Sequence, residues 1–142
     1  MPKESTTPDL VERTRRFLDA ANSRDFDTMM SFDAPDAVLN MTEEAFGTFE
    51  GRAAIRGFFE DWLGMYDDFQ MEVEELRDLG SGVTFGVPIV TGHPVGSSAE
   101  LQTRVVSVVI STEGVIVRQT SYHYTDIDEA RAAAERLAEE RG

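Results

Sequence analysis

Apolar positions in the first third of the chain recur at helical spacing. Leu10, Val11, Thr14, Phe17, Leu18 and Ala21 give one apolar face to a predicted helix. Thr7-Pro8-Asp9 opens it with a hydroxyl N-cap, a proline that needs no N–H and an acid near the positive end of the dipole. Asn22-Ser23-Arg24-Asp25 breaks the pattern, and a short second helix follows with Phe26, Met29, Met30 and Phe32 turned inward. Ala34-Pro35-Asp36 is expected to end that helix. Two short strands are predicted at Ala37–Met41 and Phe46–Phe49, with Glu43-Glu44 in a turn between them. Gly51-Arg52 then opens a third helix, in which Ile55, Phe58, Phe59, Trp62, Leu63 and Tyr66 form an unbroken apolar stripe.

Beyond that helix the period changes to two. Phe69, Met71 and Val73 alternate with polar residues, and Glu74-Glu75 shifts the phase as a β-bulge would. After the turn at Gly80-Ser81-Gly82, the residues Val83, Phe85, Val87 and Ile89 line one face of a strand. Pro88 within it suggests an edge or a bulge. A loop at 92–98 precedes a Val-rich strand over 101–110, a tight turn at Thr112-Glu113-Gly114, and an antiparallel partner over 115–124. Thr125 and Asp128 resemble a capping box for a final Ala-rich helix reaching Arg141. Three helices, a run of hairpin-joined strands and a closing helix imply an α+β fold, with helices segregated to one side of a curved antiparallel sheet.

Composition narrows the classes of function. The chain has 142 residues, fitting one domain over 1–142 with a core at about 8–125 and a C-terminal helix at about 126–141. Its 27 acidic and 13 basic residues give a net charge of −14, which argues against nucleic acid and anionic membrane surfaces as partners. The absence of cysteine excludes disulfides and thiolate metal sites. No apolar run is long enough to span a bilayer, and Met1–Pro8 is polar, so a cytoplasmic protein is expected. With no His-x-His or acidic metal loop, neither metal nor cofactor is expected.

Four segments carry a family resemblance: Asn22–Asp27, Phe32–Val38, Gly47–Phe59 and Glu113–Arg118. Together they resemble the SnoaL-like, ketosteroid-isomerase-like branch of the nuclear-transport-factor-2-like superfamily, across roughly residues 8–125. The resemblance implies a cone-shaped sheet with the three N-terminal-half helices on its concave side, an apolar pocket in the cone, and a homodimer formed through the open sheet face. The activities it implies include polyketide cyclases, isomerases, epoxide hydrolases, dehydratases and pure binding proteins. The isomerase positions fall on Met41, Phe17 and Val106, none of which moves a proton. The Arg-x-Asp of limonene-type epoxide hydrolases falls on Arg104-Val105-Val106, where the acid is missing.

Cyclase- or isomerase-like proton transfer needs only a shaped pocket and one titratable group. His123 is the candidate acid/base, because alternation places it with Val117, Gln119 and Ser121 on the face that the resemblance makes concave. The other reading makes it a core-edge histidine between Tyr122 and Tyr124. Arg104 is the candidate electrostatic partner, grouped by the same counting with Gln102, Val106 and Val108; the other reading is an arginine at the cone's rim. Phe17, Leu39, Met41, Phe58, Val106 and Val108, with Gln119 and Ser121, are the expected substrate-binding wall. Trp62 and Tyr66 would stack on a flat ligand or pack in the core. The expected ligand is a hydrophobic small molecule, polycyclic or terpenoid-like. The alternative is a non-catalytic ligand-binding or dimeric interaction module whose cone is filled by its own side chains.

Overall fold

The computed structural model describes residues 8–42 and 46–142. Thr7, the expected N-cap, and the Glu43-Glu44 turn lie outside the described residues. Helix α1 (Pro8–Asn22) is followed by α2 (Phe26–Met30), β1 (Asp33–Met41), β2 (Gly47–Glu50) and α3 (Arg52–Leu63). Then come β3 (Gln70–Gly80), β4 (Val83–Gly92), β5 (Leu101–Thr112), β6 (Val115–His123) and α4 (Ile127–Arg141). The strands form one curved, unclosed sheet in the order β2-β1-β6-β5-β4-β3, antiparallel except for the β1–β6 pair. The α+β cone expected from the sequence is therefore the fold observed.

The segment that breaks α1 also fastens it. Asn22 exchanges two hydrogen bonds with the Met71 backbone, donating from Nδ2 to the carbonyl at 3.1 Å and accepting from the N–H at 2.7 Å. Arg24 donates to the carbonyls of Leu63 (2.6 Å), the last residue of α3, and Tyr66 (3.1 Å), just beyond it. Asp25 caps α2 by accepting from the Thr28 N–H. The α1–α2 turn thus pins both long helices of the N-terminal half over the same face of the sheet.

Three local expectations are corrected. Ala34-Pro35-Asp36 lies inside β1, where the register against β6 shifts between Asp33 and Val38, an irregularity that accommodates a residue with no N–H to donate. Helix α3 stops at Leu63, so Tyr66 leaves the apolar stripe and instead bridges to Pro94. No capping box forms at Thr125: a 3-10 turn spans Tyr124–Asp126, and Asp126 takes the N-cap position of α4 without a side-chain cap bond. Elsewhere the pattern holds. The β3 register shifts between Val73 and Glu75, with Pro88 opposite Val73. At the β5–β6 turn, Glu113 (φ 53) and Gly114 (φ 84) both take the positive φ that a two-residue hairpin of the primed type requires.

The sheet has a core on each face, so the helices are not all segregated to one side as the order of elements implied: α4 lies opposite the other three. On one face α1, α2 and α3 cover Leu39, Met41, Met71 and Val90. On the other, Ala130, Ala134 and Ala138 of α4 pack on Leu79, Val83, Phe85, Val87, Val106 and Val108. The face that the resemblance assigned to a dimer interface thus carries α4, which crosses β3 to β6. Among the described residues no helix is long and apolar enough to cross a membrane.

Candidate functional site

A cavity of about 180 Å³ lies between the sheet and the helices α1 and α3. Helix α1 contributes Leu10, Arg13, Thr14 and Phe17, and α3 contributes Phe58, Phe59 and Trp62. Their helical spacing turns these side chains to one side, and the rings hold one another in place. Phe58 stacks on Trp62 with centroids 5.7 Å apart, and Phe17 meets Phe59 edge-on at 6.3 Å. The floor comes from alternate residues of five strands, including Leu39, Val73, Gly86, Val105, Ser107 and Gln119.

A second, polar hollow shares Leu10, Arg13, Thr84 and Ser111 with the first and adds Asp9 and Asp78. It adjoins the cavity between the start of α1 and the β3–β4 turn. Arg13 is fixed there by donating to the Gly114 carbonyl at 2.8 Å.

Of the expected wall residues, Phe17, Leu39, Met41, Phe58, Trp62 and Gln119 line the cavity. Tyr66 and Ser121 do not; Ser121 is buried two residues along β6 from Gln119, opposite Ser107. Val106 and Val108 belong to the core beneath α4, so the face assigned to β5 is corrected: its odd-numbered residues, not its even ones, meet the cavity. Arg104 follows the even set. Its guanidinium makes a bidentate pair with Glu74 (3.1 and 3.0 Å) across β4 and lies over the Tyr124 ring. The Arg104 hydrogen bonds hold the Glu74 carboxyl below its ordinary range, and Glu74 in turn raises the arginine. His123 is exposed at the end of β6, opposite Val105 in register. The structure therefore separates His123 and Arg104 onto different faces of the sheet.

Ser107, Gly86 and Arg13 were not expected in the wall. A lone serine within a valine run and a lone glycine within a strand were the available signals, since each interrupts an apolar strand without a turn. Among the described residues no group of three potential ligands stands where it could hold a metal ion.

The model of the SnoaL-like domain matches residues 14–136, most of the chain. The chain belongs to the SnoaL-like family. Solved structures agree with the fold of this SnoaL-like domain. A hypothetical protein with a ketosteroid-isomerase-like fold from Catenulispora acidiphila, in complex with trimethylamine, superposes with a TM-score of 0.70 at 18% identity, covering 83% of this chain and 87% of that one. Bal32a, from a soil-derived mobile gene cassette, gives 0.69 at 21% identity, over 83% and 90% of the two chains. RV0760c from Mycobacterium tuberculosis, in complex with estradiol-17beta-hemisuccinate, gives 0.64 at 14% identity, over 82% and 95%. No curated protein matches this SnoaL-like domain.

Proposed function

We propose that this SnoaL-like domain binds small apolar molecules in the cavity beneath α1 and α3, without transforming them. The observation that carries this reading is the wall itself. It is made of aliphatic and aromatic side chains with a few neutral polar ones, and Arg13 is its one ionisable residue among the described residues. The small molecules named for two related structures, trimethylamine and estradiol-17beta-hemisuccinate, support a small-molecule role. Size narrows the class. The volume of about 180 Å³ is near that of a cavity that takes one benzene ring (~150 Å³). Pockets for drug-sized ligands run from about 300 Å³ upward, so a single ring or monoterpenoid suits it better than a polycycle. The acidic, cysteine-free composition is consistent with a cytoplasmic setting.

A thermal-shift screen of single-ring and monoterpenoid compounds tests the reading. A ligand at about 100 times its Kd should stabilise the fold by about 2.7 kcal/mol. The shift should vanish in Gly86→Val, whose added methyls would enter the cavity, since a Cβ at Gly86 meets nothing closer than 3.7 Å. A screen with no stabilising compound would remove the binding role.

A second reading, cyclase- or isomerase-like proton transfer, has one observation in its favour: His123 stands opposite the wall residue Val105. It would act without Arg104, whose charge is engaged by Glu74. Turnover that survives His123→Gln excludes the imidazole. A homodimer through the sheet would use the strip that α4 leaves beside it, where Val38 pairs with Arg118 and Asn40 with Thr120. Twice the 15.8 kDa chain mass in solution, reduced to one by Thr120→Arg, would support that assembly.

A further inference from the structure

We infer that the cavity is built for a neutral, single-ring molecule bearing one hydroxyl, carbonyl or amide group, held by that group on Gln119 and Ser107. The inference rests on the binding role proposed above and specifies its ligand.

Gln119 and Ser107 reach the cavity from adjacent strands, and Gln119 Nε2 donates to Ser107 Oγ at 3.3 Å. The amide's Oε1 has no side-chain partner among the described residues. A serine hydroxyl both donates and accepts, so the amide can turn over and keep that bond. The pair can therefore present either a donor or an acceptor to a ligand. Next to it, Ser121 opposes Ser107 in register and is 1% exposed, yet its Oγ has no partner among the described residues. Burying polar groups costs free energy that Val or Ala at these positions would avoid. Gln119 and Ser107 in the cavity floor, with Ser121 buried beside them outside the wall, lie under a roof of Phe17, Phe58, Phe59 and Trp62 and point to a ligand's polar end.

Charge selects against ions. A cation in the cavity would meet Arg13 and, among the described wall residues, no carboxylate. An anion would meet, beside Arg13, the carboxylates of Asp9 and Asp78 in the adjoining hollow of a chain whose net charge is −14. A neutral ligand avoids both penalties.

The test compares two probes of equal heavy-atom count, p-cresol and ethylbenzene, by titration calorimetry on the full chain, Gln119→Leu and Ser107→Ala. Each variant's melting curve confirms that it folds. The preference for p-cresol over ethylbenzene should drop by about three- to tenfold in each variant, with ethylbenzene affinity retained, as expected for one lost neutral hydrogen bond. An unchanged preference in both variants overturns this inference alone. So does tighter binding of tetramethylammonium or benzoate than of p-cresol. Failure of the wild type to bind either probe removes the binding role with it.

Discussion

Val105 and Val106 adjoin in the chain but face opposite sides of the sheet: Val105 lines the cavity, whereas Val106 is wholly buried beneath α4. Substituting each therefore has a different signature. Val106→Ala removes packing that nothing replaces and should cost about 2 kcal/mol in urea unfolding, with ligand affinity unchanged. Val105→Ala enlarges an existing cavity, so its main effect should fall on which ligands bind. Equal effects of the two changes on affinity would show that the cavity and the core beneath α4 are not separate.

Asp33 gives stability an unusual pH dependence. Burial pushes its carboxyl up from the ordinary 3.8 to about 6, against the opposing pull of Arg52. The folded chain then holds this proton more tightly than the unfolded chain does. Its contribution to stability is intact below pH ~4, falls as pH rises towards 6, and stays lost above that. Asp33→Asn removes the charge while keeping the shape. It should gain about 2–3 kcal/mol at pH 7 and almost nothing at pH 4, read from denaturant melts at both values. A gain of the same size at both pH values would place the cause elsewhere.

His93 and Asp68 latch the 92–98 loop to the segment after α3. Asp68 accepts from the His93 N–H at 2.6 Å and pairs with Nδ1 at 2.8 Å, while the Asp67 N–H donates back to the His93 carbonyl. The Asp68 hydrogen bond raises the imidazole above its ordinary 6.5, and the same contacts lower the carboxyl. The histidine's share of the latch is therefore complete below 6.5 and lost as pH rises through the raised value. The carboxylate's share is present above the ordinary carboxyl range and lost only in stronger acid. An NMR titration of the His93 ring should show a midpoint above 6.5 that returns towards 6.5 in Asp68→Asn. A midpoint unmoved by that substitution would dissolve the pairing.

Much of the fold was legible because its signals are local. The apolar stripe of α3, the Glu113-Gly114 turn and the phase shift at Glu74-Glu75 each dictate one conformation. The bulge also had a purpose that alternation could not reveal: Glu74 pairs with Arg104 on β5, and Glu75 with Arg131 on α4. The cavity face of β5 was not legible, since Val105, Val106, Val108 and Val109 make both of its faces apolar. A strand buried on both sides loses the polar–apolar contrast that assigns a side, so Arg104 was placed in the cavity with the wrong set of valines. Pro35 misled for another reason: the register shift in the parallel β1–β6 pairing tolerates a proline that a regular strand would not.

Helix α4 is the element most open to a decisive test, because it covers apolar surface that a shorter chain would expose. Its alanines at 130, 134 and 138 let the helix backbone approach Val83, Phe85, Val106 and Val108 closely. Arg131 reinforces the seat from above the Phe85 ring, its guanidinium 4.7 Å from the centroid and paired with Glu75. At the far end, Arg141 donates to the Ser81 carbonyl at 2.9 Å. Ending the chain after Asp126 would bare this face, and a contiguous apolar patch seeks a partner. The truncated chain should run as a dimer or larger species in light scattering, bind a hydrophobic dye, and melt lower. Ala134→Arg, which drives a charge into the same contact while retaining the helix, should reproduce the dye binding in milder form. If the truncated chain instead keeps the oligomeric state and melting point of the intact one, α4 does not cover this face in solution.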